Sequence, residues 1–127
     1  MEYVAIVIVL LVLQYAWFGF KVGQARVKTE TSAPRMDGPE AFMRANRVHQ
    51  NTGEMLIALI PAMLVFAHYT HALAAAIGGA IFLLSRFWYD SAYRNNPSSR
   101  GAAFIIGFAA FAIMAIGGLV GIVMTVI

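Results

Sequence analysis

Residues 101–127 read GAAFIIGFAAFAIMAIGGLVGIVMTVI, 27 positions without a single charge. As an α-helix, about 20 apolar residues cross the roughly 30 Å hydrocarbon core of a bilayer. This run is long enough and uniform enough to span a membrane. The composition agrees. Hydrophobic residues make up 61% of the 127, charged residues only 12%, and the mean hydropathy is +0.74. A soluble fold of 13.8 kDa has too little interior to hide that much apolar surface. A soluble enzyme, a disordered chain and a DNA-binding module are therefore disfavoured, and a polytopic membrane protein remains.

Working back from that run, three more apolar segments emerge. Tyr3 to Phe20 is interrupted only by Gln14. The residues before it carry Glu2 and no Lys or Arg, so it reads as a span rather than a signal peptide. Lys28 to Pro39 reads as a loop, with Ser, Thr, Pro and Gly clustered at Thr29–Pro34 and Asp37–Pro39. A second helix is expected to start at Pro39 or Glu40, where a proline and an acidic side chain suit a helix N-terminus. It should reach Tyr69, with a kink at Pro61. His68-Tyr69-Thr70-His71 is the break before the third run, Ala72 to Tyr89. Asn95-Asn96-Pro97-Ser98-Ser99 is a loop carrying a helix cap. The expectation is one all-α membrane domain over 1–127, a four-helix bundle with helices at about 3–27, 40–69, 72–94 and 99–127.

The net charge of +3 is distributed unevenly. All nine Lys and Arg fall between Lys21 and Arg47 or between Arg86 and Arg100. Four spans place both groups on one side of the bilayer, and the positive-inside rule makes that side cytoplasmic. The basic residues thus report orientation rather than a nucleic-acid partner. Cysteine is absent, so a disulfide, a thiolate metal site and a cysteine nucleophile are excluded, and any thiol must arrive with a substrate. No His/Asp/Glu set has metal-ligand spacing and no phosphate loop is present, so no metal is expected. Ala72, Ala76 and Ala80, and the pair Gly117 and Gly121, permit close helix contact.

The chemistry lies in Arg44-Ala-Asn-Arg47-Val-His49-Gln-Asn51-Thr-Gly-Glu54. Arg47, Asn51 and Glu54 at i, i+4 and i+7 fall within about 60° of one another on a helix. Met55-Leu56-Ile57 follows at once, so Glu54 stands at the hydrocarbon boundary. Ionisable groups at that depth face protein or a wet cavity. Two readings stay open: an Arg47–Glu54 ion pair that pins the helix at the interface, or a site for a zwitterionic ligand. Arg86, Tyr89 and Tyr93 form a second stripe at the same level, readable as an aromatic belt with a snorkelling arginine or as a further wall of that site. Arg26 and Arg100 lie at the same level. His49 reads as a helix-surface residue, and His68 and His71 receive no role.

Arg47-x-x-x-Asn51-x-x-Glu54 followed by Pro61, then Arg86-Phe-Trp-Tyr89-Asp-Ser-Ala-Tyr93 and Arg100, resembles the MAPEG family, the membrane-associated proteins in eicosanoid and glutathione metabolism. The likeness covers essentially the whole chain. It implies a homotrimer of four-helix protomers with glutathione, as co-substrate, held between neighbours. It further implies that Arg47, Asn51 and Glu54 hold the tripeptide, with Glu54 on its α-amino group. Arg26 would meet a carboxylate, Tyr89 and Tyr93 would line the site, and Arg100 would be the catalytic residue beside the sulfur. In the leukotriene-forming branch a second arginine follows the position of Arg26, where this chain has Val27, and a tyrosine stands at the position of Met55. His49 is more similar to the microsomal transferase branch. The resemblance therefore implies a glutathione transferase or peroxidase acting on a hydrophobic electrophile in the bacterial inner membrane or endoplasmic reticulum. A non-catalytic lipid-binding protein of the same fold, or a small multidrug transporter, are the competing readings.

Overall fold

The computed structural model describes all 127 residues. It contains four α-helices and no strand: α1 Glu2–Lys28, α2 Glu40–Tyr69, α3 Ala72–Asn95 and α4 Gly101–Val126. All four are long and apolar enough to cross a membrane. Of 106 backbone hydrogen bonds, 92 lie inside the helices, as a chain surrounded by hydrocarbon requires. α2 and α3 form the centre of the bundle, with α1 packed on both from one side and α4 on both from the other.

Each helix buries a stripe at three- and four-residue spacing. In α4 it is Ala103, Gly107, Ala110, Met114 and Gly118. Nearly every residue of α4 is apolar, so hydropathy alone does not select this face. Small side chains do, because they let backbones approach. The bulky residues point outward, with Ile105 and Ile113 about two-thirds exposed, at 66% and 67%. Met63, Leu59 and Leu56 of α2, Phe82 of α3 and Met114 fill the main core.

The far end is closed by the two residues between α2 and α3. Thr70 Oγ1 donates to the Gly117 carbonyl at 3.1 Å, and His71 Nδ1 accepts from the Ala74 N–H at 3.2 Å. His71 is thus the cap of α3, a role that its sequence context did not suggest. Gly117 and Gly121 pack within the chain, against Phe66 and Tyr69. A methyl group at Gly121 would lie 2.6 Å from the Tyr69 carbonyl oxygen and 2.7 Å from Thr70 Oγ1. Backbone cannot yield as a side chain tip can. Gly121→Ala should therefore cost about 1–3 kcal/mol of stability. Gly101→Ala, where nothing lies within 4 Å, should be neutral or slightly stabilising. Denaturation of the two variants in the same detergent, followed by circular dichroism, checks this. Equal midpoints would show that α4 moves freely away from the turn.

At the other end, α2 begins at Glu40 behind Pro39 and runs unbroken through Pro61, whose missing N–H leaves the Ile57 carbonyl without its helical partner. The cap in the Asn95–Ser99 loop serves a short 3-10 turn, Pro97–Ser99, rather than α4. Asn96 Oδ1 accepts from the Ser98 N–H and hydroxyl, and α4 starts two residues later than 99 with no side-chain cap. Lys21 Nζ reaches Asp90 at 2.6 Å and Arg44 Nη1 reaches the Arg94 carbonyl at 2.7 Å. These bonds gather both basic segments at one end of the bundle.

Candidate functional site

The site is built on the facing sides of α2 and α3, one turn inside the basic end. Arg86 anchors it from behind. Its side chain is 1% exposed, not snorkelling to the interface. Nε and Nη2 both donate to Thr52 Oγ1, at 3.1 and 2.9 Å, and Nη2 also donates to Asn51 Oδ1 at 2.9 Å. The Thr52 hydroxyl donates in turn to the Val48 carbonyl at 2.8 Å. The guanidinium lies 3.9 Å from the centre of the Tyr89 ring. A desolvated guanidinium needs its donors satisfied, and a threonine, an amide and an aromatic face do this here without a carboxylate.

In front of Arg86 a cavity of about 280 Å³ is lined by Arg47, Asn51, Tyr89, Tyr93, Arg100 and Phe104. Its volume lies near the lower end of ligand pockets, roughly 300–1,000 Å³. Tyr89 and Tyr93 stand one helical turn apart, with ring centres at 5.6 Å. Arg100 sits over Tyr93 at 5.4 Å and donates to the Pro97 carbonyl at 2.6 Å, which holds its head against the cavity. A polar groove of about 480 Å³ adjoins the cavity and shares Arg47 and Tyr93 with it.

Five of the seven residues singled out by the sequence are thus brought together: Arg47, Asn51, Tyr89, Tyr93 and Arg100. Glu54 adjoins them through Arg47, whose Nη1 reaches Glu54 Oε1 at 3.3 Å. The pair is half-exposed, at 45% and 59%, on the outer side of α2. Arg26 stands apart. It donates to the Arg35 carbonyl at 2.7 Å and lies 4.4 Å from the Phe42 ring centre, stapling the 29–39 loop to α2. His49 is not a free surface residue: its ring stacks on Tyr15 at 4.4 Å between α1 and α2. Arg86, Thr52 and Asp90 are the residues whose roles sequence reasoning missed. The available signal was a serine- or threonine-size hydroxyl on α2 at the level of an arginine on α3.

The fold and this level of polar groups define an all-helical, multi-pass membrane protein with a cationic, tyrosine-lined cavity at one edge. Residues 4–120 match the MAPEG family, and the chain belongs to it. A protein of Synechocystis with no assigned function is 34% identical over 118 residues, covering 93% of this chain and 86% of its own. Microsomal glutathione S-transferase 2 of Bos taurus is 28% identical over 114 residues, 90% of this chain and 78% of its own. Leukotriene C4 synthase of Cavia porcellus is 32% identical over 96 residues, 76% of this chain and 64% of its own.

Proposed function

We propose that the chain is a membrane glutathione transferase that binds glutathione at this cavity and activates its thiol for attack on hydrophobic electrophiles dissolved in the bilayer. The observation that carries this reading is the cavity itself: two guanidiniums, an amide and two phenols converge at a membrane edge, with a carboxylate alongside. Glutathione offers two carboxylates, an ammonium and a thiol. Arginine forks suit carboxylates. Glu54, joined to the site through Arg47, is an anion that suits the ammonium. A zwitterion can replace the Arg47–Glu54 pair by giving Arg47 a carboxylate and Glu54 an ammonium, so neither protein charge is left unpaired when the ligand enters.

The reaction needs little more than a deprotonated sulfur. The thiol releases its proton to water, and the thiolate attacks a carbon that bears a leaving group such as chloride. A carbon–sulfur bond forms, the carbon–chlorine bond breaks, and chloride departs with the bonding pair. On this reading Arg100, which lines the cavity over Tyr93, stabilises the thiolate. The half-exposed Arg47 and Glu54 call for protein or water rather than lipid around them, and on this reading a neighbour in a homotrimer completes the site, with Arg26 serving it from α1. With the basic end on the cytoplasmic side, glutathione enters from the cytoplasm.

Losing a hydrogen bond to a charged group removes about 1.5–3 kcal/mol. Arg47→Ala and Glu54→Ala should therefore each weaken glutathione binding about ten- to hundredfold, measured by equilibrium dialysis of the protein in nanodiscs. Conjugation of a chlorinated nitroaromatic should fall with the affinity. Unchanged affinity in both variants would remove Arg47 and Glu54 from the site and return their pair to a purely structural role.

A further inference from the structure

We propose that Arg86 is a positioning residue that fixes the Asn51 amide with its NH2 group toward the cavity, so that Asn51 can only donate to the ligand. The proposal rests on the glutathione reading for the identity of that ligand. It assigns Asn51 to an oxygen acceptor of the tripeptide, a carbonyl or a carboxylate, and never to a donor such as its ammonium.

The oxygen and nitrogen of an asparagine amide are nearly the same size, so its orientation is decided by neighbours. Here one neighbour decides it. A guanidinium has five N–H donors and no acceptor, and it stays charged. The Asn51 atom 2.9 Å from Arg86 Nη2 must therefore be oxygen. The nitrogen then occupies the other branch of the amide. It has no acceptor within the protein, and Asn51 lines the cavity.

Arg86 is itself held on every side. Thr52 Oγ1 receives two of its N–H groups, and the Thr52 hydrogen is already spent on Val48, so this oxygen cannot turn away. The Tyr89 ring covers the guanidinium face at 3.9 Å. Asp90, the nearest carboxylate along α3, is occupied by Lys21 and Arg94 and leaves Arg86 without an ion pair of its own. An arginine so buried and so immobilised spends one N–H on an amide at the cavity wall. The outcome is a one-way donor facing the ligand, backed by a positive charge.

The test is a double-mutant cycle on steady-state kinetics with glutathione as the varied substrate, in nanodiscs. Glutamine at 86 both donates and accepts, so Arg86→Gln frees the amide to turn. KM for glutathione should rise about tenfold while kcat changes much less. With Asn51→Ala already in place, Arg86→Gln should add little to KM. Equal factors in the two backgrounds, or an unmoved KM, would overturn the proposal. Asn51→Asp carries the test if Arg86→Gln does not fold. It gives Arg86 a carboxylate and so keeps thermal stability, but it presents oxygen to the ligand. It should bind glutathione more weakly than Asn51→Ala, and binding equal to the unsubstituted protein would refute a donor role. If the unsubstituted protein itself shows no saturable glutathione binding, the functional reading fails. If it binds and the cycle shows no coupling, only the orientation argument fails.

Discussion

Arg100→Ala is expected to lower conjugation at saturating glutathione by one to two orders of magnitude while glutathione affinity changes only a few-fold. A free thiol ionises near pH 8.5, so little thiolate is present at neutral pH. Each unit of lowering requires about 1.4 kcal/mol of preferential stabilisation of the anion. A guanidinium in a partly dry cavity can provide one or two units. The bond to the Pro97 carbonyl and the seat over Tyr93 hold the Arg100 head against the cavity, where the proposed role needs it. Tyr89 and Tyr93 remain in the variant, as do Arg47, Asn51 and Glu54, which on the glutathione reading hold the peptide. The direct measurement is thiolate absorbance of bound glutathione in the ultraviolet at fixed pH. Arg100→Lys should fall between, because it keeps the charge and loses the planar fork. An unaltered thiolate signal in Arg100→Ala would take this residue out of the chemistry.

Asp90→Ala should produce the largest loss of stability. Asp90 is 5% exposed and accepts from Lys21 at 2.6 Å and from Arg94 at 3.0 and 2.9 Å. Through Lys21 it ties α1 to α3. Removing it strands an ammonium whose side chain is only 19% exposed. Breaking one partner of a buried pair costs about 3–5 kcal/mol, most of it the unpaired charge left behind. The double change Asp90→Leu with Lys21→Met should recover much of the loss, since only the half-exposed Arg94 then lacks its partner. By contrast Asp37→Ala, which breaks an exposed pair with Arg35, should change stability by less than about 1 kcal/mol. Equal midpoints for Asp90→Ala and Asp37→Ala would show that the Lys21–Asp90 pair is solvated and holds nothing.

The spans were legible because hydrocarbon imposes a simple rule on sequence: long apolar runs, charges gathered mostly between them, backbone bonds kept within each helix. The start of α2 at Glu40 followed from local capping chemistry. Depth was not legible. Arg86, Tyr89 and Tyr93 share a helix stripe, which periodicity shows, but periodicity does not say which of them meets a partner. Arg86 is buried because Thr52, 34 residues earlier in the chain, presents a hydroxyl to it across the α2–α3 contact. The tie that Asp90 makes to α1 was overlooked for the same reason, since Lys21 lies 69 residues earlier, although its i, i+4 pair with Arg94 lies within α3. The Arg47–Glu54 pair, by contrast, lies within one helix and was visible as a spacing. His49 was misread as surface because a single helix gives no hint that Tyr15 stacks on it.

The arrangement of charges has a bearing on turnover. Arg47, Asn51 and Glu54 lie on α2, whereas Arg100 lies at the start of α4. On the glutathione reading these groups hold parts of the tripeptide that the reaction never alters. The conjugate leaves with its carboxylates and ammonium intact and so feels nearly the same attraction as the incoming molecule. Escape of product, rather than bond making, should then set the pace for reactive electrophiles, and accumulated conjugate should compete with fresh glutathione.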